Sequence, residues 1–292
     1  MKFGSWWLWE ITEKHVVENG PVTDKREGRI AGGVAVESIT EFPYVVQVLK
    51  PYHCSGAIIS KNYILTAAQC IEDEMLRINW TAIVSNAEVL ARMQKKTDPK
   101  EIEVRAGSQF RGEGTLIPIA KAVRHPYFRI GANYDSDIAY LKTVSPIAFN
   151  ENVQPGILTD DPLEQPFLTV TGWGEQTYAG PESCRTYSYV LRGVELEAIP
   201  PWDCEDIYQD VREYITVNML CAEETVYHDK GACDGDRGAP LTLDSKIYGI
   251  SSHTYYCGPG MYPSIFTYLR AKEIREFVTK STGVQYVKSD KL

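Results

Sequence analysis

The 292-residue sequence lacks an apolar run long enough to cross a bilayer. It also lacks a run of basic residues, and its formal net charge of −9 gives it no electrostatic footprint for nucleic acid or an anionic membrane. It contains no CxxC pair and no Cys/His cluster with metal-ligand spacing, so we expect no metal and no cofactor. These absences argue against nucleic-acid, membrane and metal partners.

Cysteine usage indicates the compartment. Seven cysteines without metal spacing are better explained by disulfides, which form in an oxidising compartment, and the sequon at Asn79 makes that residue a candidate glycosylation site. We therefore expect an extracellular, secreted protein. The apolar cluster at residues 4–9 is too short for a signal peptide and is broken at Glu10, so we expect the leader to lie outside this sequence.

The apolar pattern predicts strands. Many short β-type runs between turn residues, with few helices, are typical of an all-β barrel or sandwich, and 43% hydrophobic residues allow one large core. The predicted strands are Tyr44–Leu49, Ser55–Ile59, Tyr63–Thr66, Ile117–Val123, Ile138–Lys142, Leu168–Thr171, Gly193–Ala198 and Ile247–Ser251.

Two helices and four segments complete the organisation. A short helix is expected after Pro201, and an amphipathic helix is expected over Tyr268–Lys280, where Leu269, Ile274, Phe277 and Val278 share a face. We predict an exposed N-terminal extension or propeptide over 1–29, a folded domain over 30–282 and a tail over 283–292. Residues 71–103 are polar and helix-prone, and we interpret them as an inserted surface excursion that is either an exosite or a solvated insertion.

Five separated motifs occur in one order and together resemble the trypsin/chymotrypsin family of serine proteases, over roughly residues 30–280. The motifs are Arg29-Ile30-Ala31-Gly32-Gly33, Leu65-Thr66-Ala67-Ala68-Gln69-Cys70, Asp137-Ile138-Ala139-Tyr140-Leu141, Gly172-Trp173-Gly174 and Cys233-Asp234-Gly235-Asp236-Arg237-Gly238-Ala239-Pro240-Leu241. The resemblance implies two packed six-stranded Greek-key β-barrels with a C-terminal helix.

The resemblance also assigns the triad-equivalent positions. Asp137 matches the orienting aspartate, Gln69 stands where the family has its histidine base, and Arg237 stands where it has the nucleophilic serine. A neutral amide does not take up a proton near neutral pH, and a guanidinium has no lone pair with which to attack. One hypothesis is that Arg237 folds back toward Asp137; the alternative is that it points into solvent or into the substrate pocket.

The substrate pocket departs from the family as well. By resemblance its floor is Gly231, so the acidic group for Lys/Arg recognition is missing, and Ser264 belongs to the same pocket. The wall matches Ser251-Ser252-His253, which predicts that His253 obstructs the pocket, unless a one-residue shift makes it an ordinary loop histidine. The N–H groups of Gly235 and Arg237 match an oxyanion-type donor pair.

The resemblance further implies processing and disulfides. Cleavage after Arg29 would release the ammonium of Ile30 to pair with Asp236, although the junction is alternatively an unused one. The implied disulfides are Cys54–Cys70, Cys204–Cys221 and Cys233–Cys257. Cys184 is left over, either as an ordinary thiol or as the link in a disulfide-bonded dimer.

Taken together, we expect a secreted, inactive serine protease homologue that works by binding a protein partner, namely a protease, a protease substrate or an inhibitor, and so regulates a proteolytic cascade. The alternative is a serine-type endopeptidase with an unrecognised nucleophile. Its base would come from the histidines at His53, His125, His228 or His253, and its nucleophile from Ser251 or Ser252. A copy that has lost any role is a third interpretation.

Overall fold

The computed structural model describes residues 33–72, 97–128, 134–175, 186–226, 228, 230–255 and 262–288. In these ranges the chain forms fifteen β-strands and two α-helices. The strands belong to two sheets, one built mainly by each half of the chain.

The first sheet has seven antiparallel strands. They are β2 (Val45–Lys50), β3 (Cys54–Ser60), β4 (Tyr63–Thr66), β5 (Glu103–Ala106), β6 (Thr115–Leu116), β7 (Ile119–Arg124) and β8 (Ala139–Thr143). Their order is β6-β5-β2-β3-β4-β8-β7. The sheet curls, and within the described residues no ladder pair joins its end strands β6 and β7.

The second sheet has eight strands, six of which form a closed ring. The eight are β1 (Val34–Ala35), β9 (Ile157–Leu158), β10 (Phe167–Gly172), β11 (Arg192–Ile199), β12 (Met219–Glu223), β13 (Pro240–Leu243), β14 (Lys246–His253) and β15 (Ser264–Tyr268). The ring runs β11-β10-β13-β14-β15-β12 and returns to β11, while β1 pairs with β11 and β9 pairs in parallel with β14. Closure removes most of the free edges of the ring strands.

The prediction of a trypsin-like double β-barrel is therefore confirmed, with one barrel closed and the other a curled half-barrel. The eight predicted strands are present with bounds that differ by up to two residues. Strand β14, for example, extends to His253, two residues beyond the predicted end at Ser251.

The core is made of apolar clusters, three of which hold the two sheets in place. One fills the first sheet, around Val46 and Leu141, and another fills the closed barrel, around Val170 and Phe266. A third lies between the sheets and includes Leu65. Burial of this shared cluster fixes the two sheets against one another, and the site-forming loops emerge along the junction.

The two helices are α1 (Pro201–Tyr208) and α2 (Lys272–Thr282). Helix α2 begins four residues later than predicted, and it is followed by Gly283, whose φ of 74° gives the left-handed conformation typical of that position. Ile274 and Val278 on its inner face are fully buried in the cluster between the sheets. No helix in the described ranges has the length and apolar character needed to cross a membrane.

Two of the three implied disulfides are present. Cys54–Cys70 joins β3 to the turn that follows β4, and Cys204–Cys221 joins α1 to β12. Each closed loop stabilises the folded chain by about 3 kcal/mol. Cys257, the implied partner of Cys233, lies outside the described residues. So do other residues singled out in the sequence, namely Arg29, Ile30, Asn79 and Cys184.

The excursion predicted over 71–103 is described only at its two ends. The Thr97 hydroxyl donates to the Ile71 carbonyl at 2.5 Å, which brings the two ends together. A 3-10 turn, Pro99–Glu101, then leads into β5, and the Asp98 side chain caps this turn by accepting from the Lys100 N–H. Residues 73–96 lie outside the described ranges.

The contribution of α2 to stability can be tested at Ile274. The substitution Ile274→Ala removes a fully buried side chain and leaves a cavity between the sheets, so the free energy of unfolding should fall by about 2–5 kcal/mol. Urea denaturation measures this. Lys280→Ala, on the exposed face of the same helix, should change it by less than about 0.5 kcal/mol; equal effects would show that α2 does not anchor the core.

Candidate functional site

The three triad-equivalent residues converge at the junction of the two sheets. Gln69 lies in the 3-10 turn Ala68–Ile71 that follows β4, and Asp137 lies just before β8 in the first sheet. Arg237 belongs to the turn that precedes β13 in the second sheet. The turn carrying Arg237 is tied to the first sheet because Ser55 N–H donates to the Arg237 carbonyl at 2.8 Å.

The Asp137 carboxylate is the centre of the site. Asp137 is fully buried, and its Oδ1 accepts from the Gln69 backbone N–H at 3.1 Å. Its Oδ2 accepts from Gln69 Nε2 at 2.6 Å and from the Ser252 hydroxyl at 2.7 Å. Donors from both sheets thus compensate for the desolvation of the buried charge.

The Gln69 side chain is held as a donor. Its Nε2 also donates to the Ser252 carbonyl at 3.1 Å, so the two amide hydrogens point at Asp137 and Ser252. The residue is 5% exposed. The amide therefore reproduces a hydrogen bond to the aspartate while having no basic nitrogen with which to accept a proton.

The fold-back hypothesis for Arg237 requires correction. Arg237 Nη2 pairs with Asp234 Oδ1 at 2.6 Å, within the same turn, and it is Gln69 and Ser252 that donate to Asp137. Burial, the largest single effect, lowers the pKa of the guanidinium, but the charge and hydrogen bond of Asp234 together with Tyr134 and the charge of Asp137 outweigh it, and the pKa is raised. Asp234 belongs to the same turn as Arg237 and is partly exposed to water. Pairing with it therefore requires less desolvation of the two charges than pairing with the fully buried Asp137 would.

The segment matched to the pocket wall, Ser251-Ser252-His253, is irregular. Strand β14 has a bulge between Ser251 and His253, and the bulge turns Ser252 toward Asp137. Ser251 instead pairs through its backbone, its N–H donating to the Ala239 carbonyl at 2.8 Å. The wall hydroxyl that donates to Asp137 is therefore that of Ser252.

His253 stacks against Tyr134. The two rings lie 3.9 Å apart between centroids and are inclined by 9°. Both ring nitrogens of His253 are buried and have no hydrogen-bond partner within the described part of the chain. Burial, followed by the charge of Arg237, lowers the pKa of His253 to about 4, so the ring is neutral at neutral pH. The stack fills space beside Arg237, although obstruction of the pocket by His253 stays a prediction.

The predicted floor residues, Gly231 and Ser264, are neighbours in the structure. A Cβ on Gly231 would lie 2.9 Å from Ser264 Oγ, which itself accepts from the Ala232 N–H at 3.1 Å. A hydroxyl rather than a carboxylate thus faces the floor residue.

The conformation of the turn at position 235 requires glycine. Gly235 has a φ of 92°, which suits glycine, and a Cβ there would lie 2.7 Å from the Tyr187 ring. Among the described residues, neither the Gly235 N–H nor the Arg237 N–H donates a hydrogen bond to a backbone carbonyl. The two residues border a cavity of about 170 Å³ that Gln69, His53 and Tyr187 also line.

Asp236 is buried apart from this cavity. Its Oδ1 accepts from the Gly174 N–H at 2.8 Å and its Oδ2 accepts from the Cys233 N–H at 3.0 Å. Burial raises the pKa of Asp236 to about 7, despite the opposing effect of these two donors. A Cβ on Gly174 would approach Asp236 Oδ2 to 2.2 Å, which explains the glycine at that position.

Comparison with known proteins decides the family. The model of the trypsin family matches residues 30–274. The chain belongs to the trypsin family. A trypsin of Phaedon cochleariae is 28% identical over 253 residues, covering 85% of this chain and 86% of the relative. The vitellin-degrading protease of Bombyx mori is 30% identical over 259 residues, covering 87% and 85%.

A solved structure of the same fold is that of the scabies mite inactivated protease paralogue S-D1. It has a TM-score of 0.65 and 23% identity, and the match covers 88% of this chain and 99% of that one. At this identity the similarity shows the trypsin-like fold alone.

Of the other candidate histidines of this trypsin family member, His125 and His228 lie away from the triad-equivalent residues, whereas His53 lies near them. His125 packs on Phe277 with 4.7 Å between ring centroids, and His228 Nδ1 lies 3.3 Å from Glu223. His53 lines the cavity and faces the Tyr187 ring at 4.6 Å. No group of three or more acidic, His or Cys side chains in the described ranges could hold a metal ion.

Sequence reasoning missed three residues of the site. Asp234 could have been found, because it stands three residues before Arg237 in the same turn and carries the opposite charge. Tyr134 stands three residues before Asp137, but its stacking on His253 depends on a contact between the two sheets. Tyr187 has no local signal, since it reaches Gly235 only through the fold.

The position of the site hydroxyl can be tested by two neighbouring alanine substitutions. Ser252→Ala removes a donor to the buried Asp137 carboxylate, so the free energy of unfolding should fall by about 1.5–3 kcal/mol. Ser251→Ala is the matched control, also buried and adjacent, and should have a smaller effect. Chemical denaturation measures both; a larger loss for Ser251→Ala would contradict the assignment of the Asp137 donor to Ser252.

The pKa of Asp236 predicts a pH dependence in the uncut chain. Between about pH 4 and pH 7 the folded state retains a proton that the unfolded state, with an aspartate pKa of about 3.9, has lost. Stability should therefore decrease as the pH rises, by up to about 1.4 kcal/mol per pH unit. Urea unfolding across this range should show that Asp236→Asn removes this part of the slope; an unchanged slope would contradict the raised pKa.

Proposed function

We propose that this member of the trypsin family is a catalytically inactive homologue that acts by binding and regulates a proteolytic cascade or a protease partner. One observation carries the proposal: the buried Asp137 carboxylate is engaged by a glutamine amide and a serine hydroxyl, neither of which relays a proton to a nucleophile. The place of the nucleophile is occupied by a guanidinium paired with Asp234.

The chemistry of acyl transfer explains why this arrangement matters. A serine hydroxyl attacks a peptide carbonyl only when a base within hydrogen-bond reach accepts its proton and a carboxylate orients that base. Gln69 takes the carboxylate but supplies no base, and Arg237 supplies no nucleophile. In serine proteases, loss of the nucleophile alone lowers turnover by roughly 10⁶.

The alternative, an endopeptidase with another nucleophile, draws support from the proteases among the relatives. The local geometry does not favour it. The Ser252 hydroxyl donates to Asp137, and the neutral ring of His253 stacks on Tyr134. Neither contact forms the hydrogen-bonded pair of hydroxyl and base that activation requires.

Filling of the site also bears on the kind of partner. The Arg237–Asp234 pair and the Tyr134–His253 stack both occupy space around the position of the nucleophile. A substrate-like loop would have to displace these contacts. We therefore favour a partner that docks on another surface over a decoy that binds protease substrates or inhibitors in the former active site.

Secretion and processing belong to the same proposal. The two disulfides found within the described residues suit an oxidising, extracellular environment. Cleavage after Arg29 would offer the Ile30 ammonium to Asp236, a buried carboxylate that the present contacts leave with a raised pKa. An ammonium there would stabilise the ionised form and lower that pKa.

The proposal is tested by restoring the chemistry. The chain, cut after Arg29 and freed of the cutting protease, should not react with a fluorophosphonate probe, whereas Gln69→His/Arg237→Ser should, because it regains a base and a hydroxyl beside Asp137. Labelling followed by gel fluorescence measures both. Arg237→Ser alone, which still lacks the base, is the matched control and should label far more weakly.

Labelling or peptide hydrolysis by the wild-type chain would overturn the proposal. In that case, mapping the labelled residue would identify the nucleophile and test Ser251 and Ser252 directly.

A further inference from the structure

The small cavity beside Gly235, called the turn cavity below, has three walls. Residues 51–54, which lead into β3, form one wall, and Gln69 and Tyr187 form a second. Asp234, Gly235 and Arg237, from a single turn, form the third. The volume of about 170 Å³ is several times the roughly 30 Å³ that one water occupies in the liquid, so the cavity has room for a small polar group.

Two backbone donors in the wall of the turn cavity lack acceptors. The N–H groups of Gly235 and Arg237 have no acceptor in the part of the chain that the structure describes, whereas the Asp236 N–H between them donates to the Cys233 carbonyl at 2.9 Å. Gly235 has a φ of 92°, and turns of this kind present their N–H groups as a concave site for anions. An acceptor from outside the chain would satisfy both groups.

Arg111 brings an unpaired positive charge to the same place. Its guanidinium carbon lies 5.6 Å from the centre of the Tyr187 ring, and a Cβ on Gly235 would lie 2.7 Å from the edge of that ring. No carboxylate pairs with Arg111 within the described ranges, and its Nε is buried without a hydrogen-bond partner. Burial, followed by the charge of Arg111, lowers the pKa of His53, which lines the cavity. The charge of Arg111 therefore acts on the cavity.

The loop that carries Arg111 is held on both sides of this residue. The Arg111 N–H donates to the Tyr189 carbonyl at 2.7 Å. The Gly112 N–H donates to Gln47 Oε1 at 2.7 Å, and Gln47 Nε2 donates to the Phe110 carbonyl at 3.0 Å. The backbone that positions the cation is thus fixed before any ligand arrives, which lowers the entropy cost of binding.

The charges around the turn cavity favour a singly charged anion. Arg237 and Asp234 offset one another in their 2.6 Å pair, and Asp137 lies behind Gln69, where its own donors compensate it. Arg111 remains as the surplus charge. A second negative charge on the ligand would face Asp234, which disfavours phosphate and sulfate. A carboxylate carries one charge and accepts stronger hydrogen bonds than a neutral carbonyl does.

We propose that the turn cavity binds a carboxylate group of a partner protein. The carboxylate accepts from the N–H groups of Gly235 and Arg237, and Arg111 supplies the compensating charge across the Tyr187 ring. The inference rests on the proposed function in that the protein acts by binding. Tyr134 and His253 do not line the cavity, and the pair of Arg237 with Asp234 stays in place, so a bound carboxylate leaves the filled nucleophile position undisturbed.

Titration with acetate, followed by NMR, tests the site. The full chain labelled with ¹⁵N receives sodium acetate in exchange for sodium chloride at constant ionic strength. The amide signals of Gly235 and Arg237 should shift saturably. Acetamide, which has the same shape without the charge, should leave them in place. Absence of a saturable shift, or an equal response to acetamide, would overturn the proposal, and tighter binding of sodium sulfate would overturn the assignment to carboxylates.

Substitution of Arg111 separates its charge from its packing. Arg111→Gln should weaken acetate binding by at least about fivefold, because the surplus charge is lost, whereas Arg111→Lys should stay within about twofold of the wild type. Arg212→Gln removes an exposed arginine outside the cavity lining and should bind as the wild type does. Equal affinities of Arg111→Gln and Arg212→Gln would remove Arg111 from the site.

Three peptides distinguish the sources of the carboxylate. Acetyl-Ala-Glu-Ala-amide carries it on a side chain, acetyl-Ala-Ala-Ala carries it at the C-terminus, and acetyl-Ala-Gln-Ala-amide has none. At least one of the first two should bind at least about tenfold more tightly than the third, and the tighter one identifies the source. Equal binding by all three would contradict recognition of a carboxylate.

These readouts are independent of the test of inactivity. A chain that does not bind acetate and stays silent toward the fluorophosphonate probe keeps the proposed inactivity and loses the carboxylate site. A chain that binds acetate and is labelled by the probe keeps the site and loses the proposed inactivity.

Discussion

The structure of the site depends on the need of one buried carboxylate for hydrogen-bond donors. Asp137 is inaccessible to water, and an ionised carboxylate without donors at such a position would destabilise the fold by several kcal/mol. Gln69 from the first sheet and Ser252 from the second supply them. The glutamine thus preserves the structural half of the role that the family gives to histidine, donation to the aspartate, and loses the chemical half, uptake of a proton.

The two charged residues of the neighbouring turn, Asp236 and Arg237, meet the same need for partners in different ways. Asp236 is enclosed by backbone and relies on two N–H groups, whereas Arg237 emerges far enough to pair with Asp234. The turn is fixed through backbone contacts, such as that from Ser55 to the Arg237 carbonyl, which do not depend on the side chain at position 237. This independence explains how an arginine replaces a small residue without loss of the local backbone.

Several parts of the fold and site were readable from the sequence. Apolar alternation predicted eight strands, and the five ordered motifs implied the double-barrel fold and the positions of Gln69, Asp137 and Arg237. Seven of the fifteen described strands were not predicted, among them β5, β12 and β15, because their residues are chosen by contacts with neighbouring strands rather than by local pattern. The bulge that brings Ser252 to Asp137 was likewise invisible, since it arises from pairing between β14 and β15.

The sequence by itself determined the chemistry that is available: an amide and a guanidinium at the positions of base and nucleophile, and cysteines that form Cys54–Cys70 and Cys204–Cys221. Only the tertiary structure decided which groups meet. It paired Arg237 with Asp234 instead of Asp137, and it stacked Tyr134 on His253. These contacts depend on how the two sheets pack and on the paths of the turns between their strands, so they cannot be predicted from any local run of residues.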